Sequence, residues 1–158
     1  EIVNSLNSRI EEIKNVKISS RPKVLGIEWI NPFFTSGHWV PEMIEISGGV
    51  NMITKTGEHS RKMEIEEIEK EDPDILILMP CGFDVQRTVS EYEKNLKNDP
   101  RWSQLKAVKE RKVFAVDANS FFSKPSIRVV TGIEILAKIL HPEMFEELEV
   151  PNNSFLKI

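Results

Sequence analysis

The stretch that most restricts the fold is "DPDILILMP", residues 72–80. Its centre, Ile75–Met79, is five apolar side chains in a row. Successive residues of a strand point to opposite faces, so an unbroken apolar run needs cover on both sides. Helices that cross over between parallel strands provide that cover. Two further short β-rich runs, "KVLGI" (Lys23–Ile27) and "KVFAV" (Lys112–Val116), supply parallel neighbours.

The segments between these runs carry the helical period. Ile2, Leu6, Ile10 and Ile13 form one stripe that ends near Lys14. Val40, Met43, Ile44 and Ser47 form another, closed by Gly48-Gly49. Ile65 and Ile68 mark a third in "MEIEEIEKE", and Val85, Val89, Tyr92 and Leu96 a fourth. A last helix runs from Ile127 to about Leu140 and stops at His141-Pro142. "NMITKTG" reads as one more short strand, and the tail "VPNNSFLKI" shows no pattern. Alternating strands and helices predict an α/β fold with a mainly parallel central sheet.

Composition excludes some roles. A formal net charge of −4, with Lys and Arg scattered among carboxylates, offers no basic patch for a nucleic acid. A single cysteine, Cys81, rules out an internal disulfide and a multi-cysteine metal site. His38, His59 and His141 lack metal-ligand spacing, and His141, beside Pro142, reads as a surface residue. Gly48-Gly49 follows a helix instead of opening one, so it is not a phosphate loop. Glu64, Glu66, Glu67, Glu69 and Glu71 read as a solvated helix face. The chain starts at Glu1 and enters a helical pattern at once, which predicts a processed protein or a piece of a longer one.

Ligands of open α/β sheets gather beyond the carboxyl ends of the strands. Three loops leave the sheet there: "EWINPFFTSGHW", "PCGFD" and "DANSFFSKPS". Each carries rings: Trp29, Phe33, Phe34 and Trp39 in the first, Phe83 in the second, Phe121 and Phe122 in the third. Rings from three loops on one edge predict an apolar surface for a bulky ligand or for another protein domain. An α/β enzyme or a metal-chelate-handling domain is the competing reading, with Cys81 just past a strand and His38 as its partner. Ser36 lies near His38 as well, but no nucleophile-elbow motif surrounds it.

The segments "EWINPFFTSGHWVPEMIEISGG", "GEHS", "DPDILILMPCG", "RWSQLKAVKERKVFAVDANSFFSKPSIR" and "GIEILAKILHP" together resemble the C-terminal lobe of class III (cluster A) substrate-binding proteins. These serve ABC importers of cobalamin, haem and iron–siderophore complexes. The cobalamin-binding-like branch is the nearest likeness, which spans about Arg21 to Pro142. The resemblance implies a three-layer αβα lobe behind the end of a long interlobe helix. Residues 1–20 would be that helix end, 21–145 the ligand-binding lobe and 146–158 a C-terminal tail. It further implies that Trp29, Phe33, Phe34, Cys81, Phe83 and Phe122 face a large metal-chelate ligand, and that Glu42, with Glu45 second, docks on an ABC permease. His38 is left between ligating iron or cobalt and a structural role such as capping the next helix. An N-terminal lobe would complete the cleft, the site would be extracytoplasmic, and the protein would need no cofactor of its own.

Overall fold

The computed structural model describes residues 1–158. Its centre is a six-stranded sheet in which β1 (Lys23–Trp29), β4 (Ile75–Leu78) and β5 (Val113–Val116) lie side by side and parallel. β3 (Val50–Asn51) adds a short parallel pairing to the start of β1. Two antiparallel strands close the edges: β2 (Phe34–Thr35) on β1 and β6 (Phe155–Lys157) on β5. β6 comes from the tail that shows no pattern in the sequence. Its outer residues are exposed, so alternation has little to record there.

The opening run divides as strand geometry requires. Ile75, Ile77 and Met79 enter one core with Val24, Phe114 and Val116, beneath α1 (Ile2–Lys14), α2 (Val40–Ile46) and α8 (Arg128–Leu140). Leu76 and Leu78 enter the other with Leu25, Ile27 and Val113, beneath α3 (Ile65–Glu71), α4 (Val85–Asn95) and Trp102 of α5 (Pro100–Ser103). The result is three layers, helix on sheet on helix.

Polar groups fasten the helices to these layers. α1 docks on α8 through Arg9, whose Nε and Nη2 donate to Glu134 Oε1 and Oε2 at 2.8 and 2.7 Å. The Arg9 Nη2 also donates to Thr131 Oγ1 at 3.0 Å. The acidic face of α3 is partly committed rather than free in water. Glu66 and Glu69 hold Arg101, Glu67 holds Arg61, and Glu64 and Glu67 form a capping box.

His141 departs from its expected surface position. It is 5% exposed, and its ring Nε2 lies 2.9 Å from the Gly48 carbonyl, the tautomer with Nε2–H being the one this acceptor requires. Gly48, at φ +94°, ends α2 in a left-handed turn where a Cβ would strike the His141 ring.

Asp74, at the amino end of β4, accepts the Lys23 backbone N–H at 2.8 Å and the Lys106 ammonium. Burial pushes its carboxyl upward, but the hydrogen bonds from Lys106 and Lys23 and the charge of both lysines outweigh that, so it is held below the usual carboxylate range. A depressed folded-state pKa means the unfolded chain takes up the proton first. The contribution is therefore present above the ordinary aspartate value and lost as pH falls through the depressed one. Asp74→Asn is expected to flatten the acid limb of a Tm-versus-pH profile below about pH 4–5. An unchanged acid limb would show that Asp74 does not contribute to it.

Candidate functional site

Strands β1, β4 and β5 end together, and the backbone ties their three loops into one edge. The Cys81 N–H donates to the Glu28 carbonyl at 3.2 Å, joining the second loop to β1. The Asn119 N–H donates to the Phe83 carbonyl at 3.0 Å, and the Gly82 N–H to Ser123 Oγ at 2.9 Å, joining the third loop to the second. Trp39 Nε1–H reaches back to the Phe122 carbonyl at 3.0 Å.

Only part of the expected aromatic wall faces outward. Trp29 is 38% exposed and meets Phe83 edge to face, with centroids 5.3 Å apart and planes at 72°. Phe83 is buried beneath it, and the Arg87 guanidinium lies over the Phe83 ring at 3.8 Å from its centroid. Trp29, Phe83, Ile30 and Pro80 line a hollow of about 340 Å³, whose far side is polar through Glu91, Lys94 and Asn95 of α4.

Phe122 and Phe33 turn away, and Phe34 stays half-buried beside Trp29. Phe122 is 3% exposed and packs, with Met43, over Gly132, so it is a core residue and not part of an exposed wall. Phe33 is half-buried and stacks on Trp102 at 5.8 Å and 19°. Phe34 is half-buried on β2, opposite Trp29 in register. A ring packed into the core removes more apolar area from water than one left at a loop tip, which is why Phe33 and Phe122 fold inward.

Cys81 is exposed in the second loop. His38 sits at φ +59°, its N–H donating to the Glu58 carbonyl, and its ring packs against Trp39 at 5.5 Å and His59 at 5.0 Å. The His38 ring is thus engaged with Trp39 and His59, not with Cys81. The N-cap of α2 is Trp39, with no side-chain cap bond, so His38 does not cap that helix.

Glu42 and Glu45 lie on exposed positions of α2 and line the groove between α2 and the end of α1, with Lys14 and Arg21. Glu45 is committed: Oε1 accepts the Asn51 N–H at 2.9 Å and Oε2 lies 3.6 Å from Arg21 Nη2. Glu42 makes no ion pair or hydrogen bond.

Two residues at this edge escaped the sequence reading. Arg87 could have been found as the cation four residues after Phe83, across the start of α4. Glu28 is the acid between Ile27 and the last residue of β1, Trp29. It is the extra residue of a β-bulge, since Ile27 pairs with Thr35 and Trp29 with Phe34.

Comparison with known proteins places these features in context. The family described as "Periplasmic binding protein" matches residues 1–120. The high-affinity heme uptake system protein IsdE of Staphylococcus aureus (strain bovine RF122 / ET3-1) is 27% identical over 122 residues, which cover 75% of this chain and 41% of that protein. Among solved structures, an ABC transporter substrate-binding protein from Listeria monocytogenes EGD-e superposes with a TM-score of 0.77 at 21% identity, over 89% of this chain and 56% of the other. S. aureus IsdE complexed with heme gives 0.75 at 21% identity, over the same shares. The TroA-like periplasmic binding protein FepB from Veillonella parvula gives 0.71 at 17% identity, over 94% of this chain and 47% of the other. The structural matches share the fold, and the chain spans less than half the length of its S. aureus relative.

Proposed function

Because this chain belongs to the periplasmic binding protein family, we propose that it is the C-terminal lobe of the substrate-binding component of an ABC importer. Its ligand is a large metal chelate of the cobalamin, haem or ferric-siderophore kind. The observation that carries this reading is the Trp29–Phe83 ledge on an edge that three hydrogen-bonded loops hold in place. A flat or bulky ligand gains affinity by covering such rings, and the fixed loops spare it the entropy of ordering them. An N-terminal lobe would cover the ligand's other face, and α1 would be the end of the helix joining the two. The S. aureus relative, matched over 41% of its length, supports that two-lobed reading. The working place is extracytoplasmic, with a membrane permease as partner. The reading gives Cys81 and His38 no catalytic role.

Within it, Trp29 and Phe83 form the ligand-facing ledge, while Cys81 and Phe34 lie at its margin. Phe33 and Phe122 support the loops from the core. Glu42 is the permease-docking acid: it is exposed and unpaired, whereas Glu45 is held by Asn51 and Arg21. An exposed acid steers and orients docking more than it adds affinity.

The test is a titration of hemin and of cyanocobalamin followed by tryptophan fluorescence. The chain alone should bind its ligand at least about tenfold more weakly than the two-lobed protein, a difference of 1.4 kcal/mol. Equally tight binding by the chain alone would contradict the two-lobed site. In the two-lobed protein, Glu42→Gln should leave the titration unchanged and make permease association weaker and less salt-sensitive. Docking that is unaffected by this change would remove Glu42 from the interface.

A further inference from the structure

The polar wall of the hollow beside Trp29 and Phe83 is unevenly engaged. Glu91 Oε2 accepts the Asn95 Nδ2–H at 2.9 Å, and Asn95 Oδ1 accepts the Asn31 Nδ2–H at 3.3 Å. That chain is closed within the protein. Lys94 lines the same hollow and is exposed, and its ammonium makes no hydrogen bond or ion pair. Two helical turns earlier, the exposed Arg87 guanidinium lies over the Phe83 ring, and no carboxylate holds it. Asp84 is spent on capping α4, where it accepts the Arg87 backbone N–H at 2.8 Å. A ring covers one face of a guanidinium and leaves the N–H groups at its edge free.

Helix geometry sets the two cations beside the rings. Residues 87, 91 and 94 of α4 fall at helical spacing on one face, which puts Arg87 and Lys94 about 10.5 Å apart along the axis with Glu91 between them. The face therefore carries two cations and one acid whose oxygen is engaged by Asn95. The helix dipole favours a cation in the last turn, where Lys94 stands, and disfavours one in the first turn, where Arg87 stands. Arg87 thus keeps its place against the dipole and with no acid to hold it, on the ring that underlies the ledge.

We propose that Lys94, with Arg87, selects a ligand whose rim carries carboxylates: the rings take the flat apolar body of the chelate, and the two cations take its acid groups. This rests on the ligand-binding reading of the edge given above and narrows it to anionic chelates. A free ammonium or guanidinium makes a charge-assisted bond to a carboxylate. The bond strengthens as the ligand and the second lobe exclude water from the hollow. A rim of neutral amides gains no such charge pairing.

The experiment titrates three probes into the two-lobed protein proposed above. They are hemin, its dimethyl ester, which keeps the macrocycle and loses both carboxylates, and cyanocobalamin, which is fringed by amides. Wild type should bind hemin at least about tenfold more tightly than the diester or cyanocobalamin, with the margin shrinking as salt is raised. Lys94→Gln should weaken hemin roughly tenfold and leave the diester unchanged, and Lys94→Arg, which keeps the charge, should restore most of the loss. Arg87→Met, which keeps an unbranched stem over Phe83, should act in the same direction as Lys94→Gln. Hemin and diester bound equally by wild type, or a hemin preference that survives Lys94→Gln and Arg87→Met together, overturns the proposal. A Lys94→Gln variant that melts lower with its hemin preference intact marks Lys94 as a helix-end cation only, and overturns it too. Equal binding of hemin and diester, both weakened by Trp29→Ala, removes the cations and leaves the ledge standing. Failure of wild type to bind any of the three removes the ligand class, and this proposal with it.

Discussion

Trp102→Ala is expected to destabilise the chain by about 3–5 kcal/mol, the range for truncating a large aromatic in a core. Trp102 is 0% exposed and sits between Phe33, stacked at 5.8 Å, and Tyr92, edge-on at 6.2 Å. Its removal opens the layer under β4, and Phe33 loses the surface that holds the first loop. Against a typical total stability of about 5–15 kcal/mol, such a loss leaves a sizeable unfolded fraction. Trp102→Phe is the sharper comparison. The indole Nε1–H has no acceptor, so phenylalanine keeps a ring on Phe33 while removing a buried donor that costs energy where it is. Urea unfolding should rank the variants wild type, Phe, Ala, with Phe much nearer to wild type. If Phe is as damaging as Ala, the indole N–H has a partner that the structure does not show.

The second large effect concerns the ledge. In the two-lobed protein proposed above, Trp29→Ala should weaken ligand binding roughly 10–150-fold, the equivalent of 1.5–3 kcal/mol for one large ring buried on binding. Trp29→Ala should cost less stability than truncation of Phe83, because Trp29 is 38% exposed whereas Phe83 is buried. Phe83→Ala should lower both affinity and stability, since that ring is buried beneath Trp29 and beside Arg87. The contrast carries the test. A Trp29→Ala variant with normal affinity would mean that the ligand does not use this ledge.

The fold was legible where burial on two sides left an unambiguous pattern. The run Ile75–Met79, the strands beginning near Lys23 and Val113, and the stripes of α1, α2, α4 and α8 all lie where the sequence puts them. β6 was not legible, because a short edge strand with its outer residues in water needs no alternation. The edge where the three loops meet was legible, and which rings face outward there was not. The three loops converge as expected, but composition cannot tell a ring that lines a surface from one that supports it. Phe122 turned inward to join the core around Val116 and α8, where Gly132, ten residues later, lets Met43, the Phe121 carbonyl and the Phe122 ring come close. His141 did so because a left-handed turn at Gly48, 93 residues earlier, presents a carbonyl. Such choices depend on neighbours remote in the chain.

The Arg9–Glu134 bond also sets a timetable. Its two ends are separated by 125 residues, and α8, the helix that α1 rests on, is the last in the chain. At synthesis rates of about 5–20 residues per second, α1 waits roughly 6–25 s for its seat to be made. During that interval Arg9 has no carboxylate to hold, and the apolar stripe of α1 has no α8 to cover it. This fold therefore reaches its finished form only once α8 has been made, and until then α1 is free to meet whatever else is within reach.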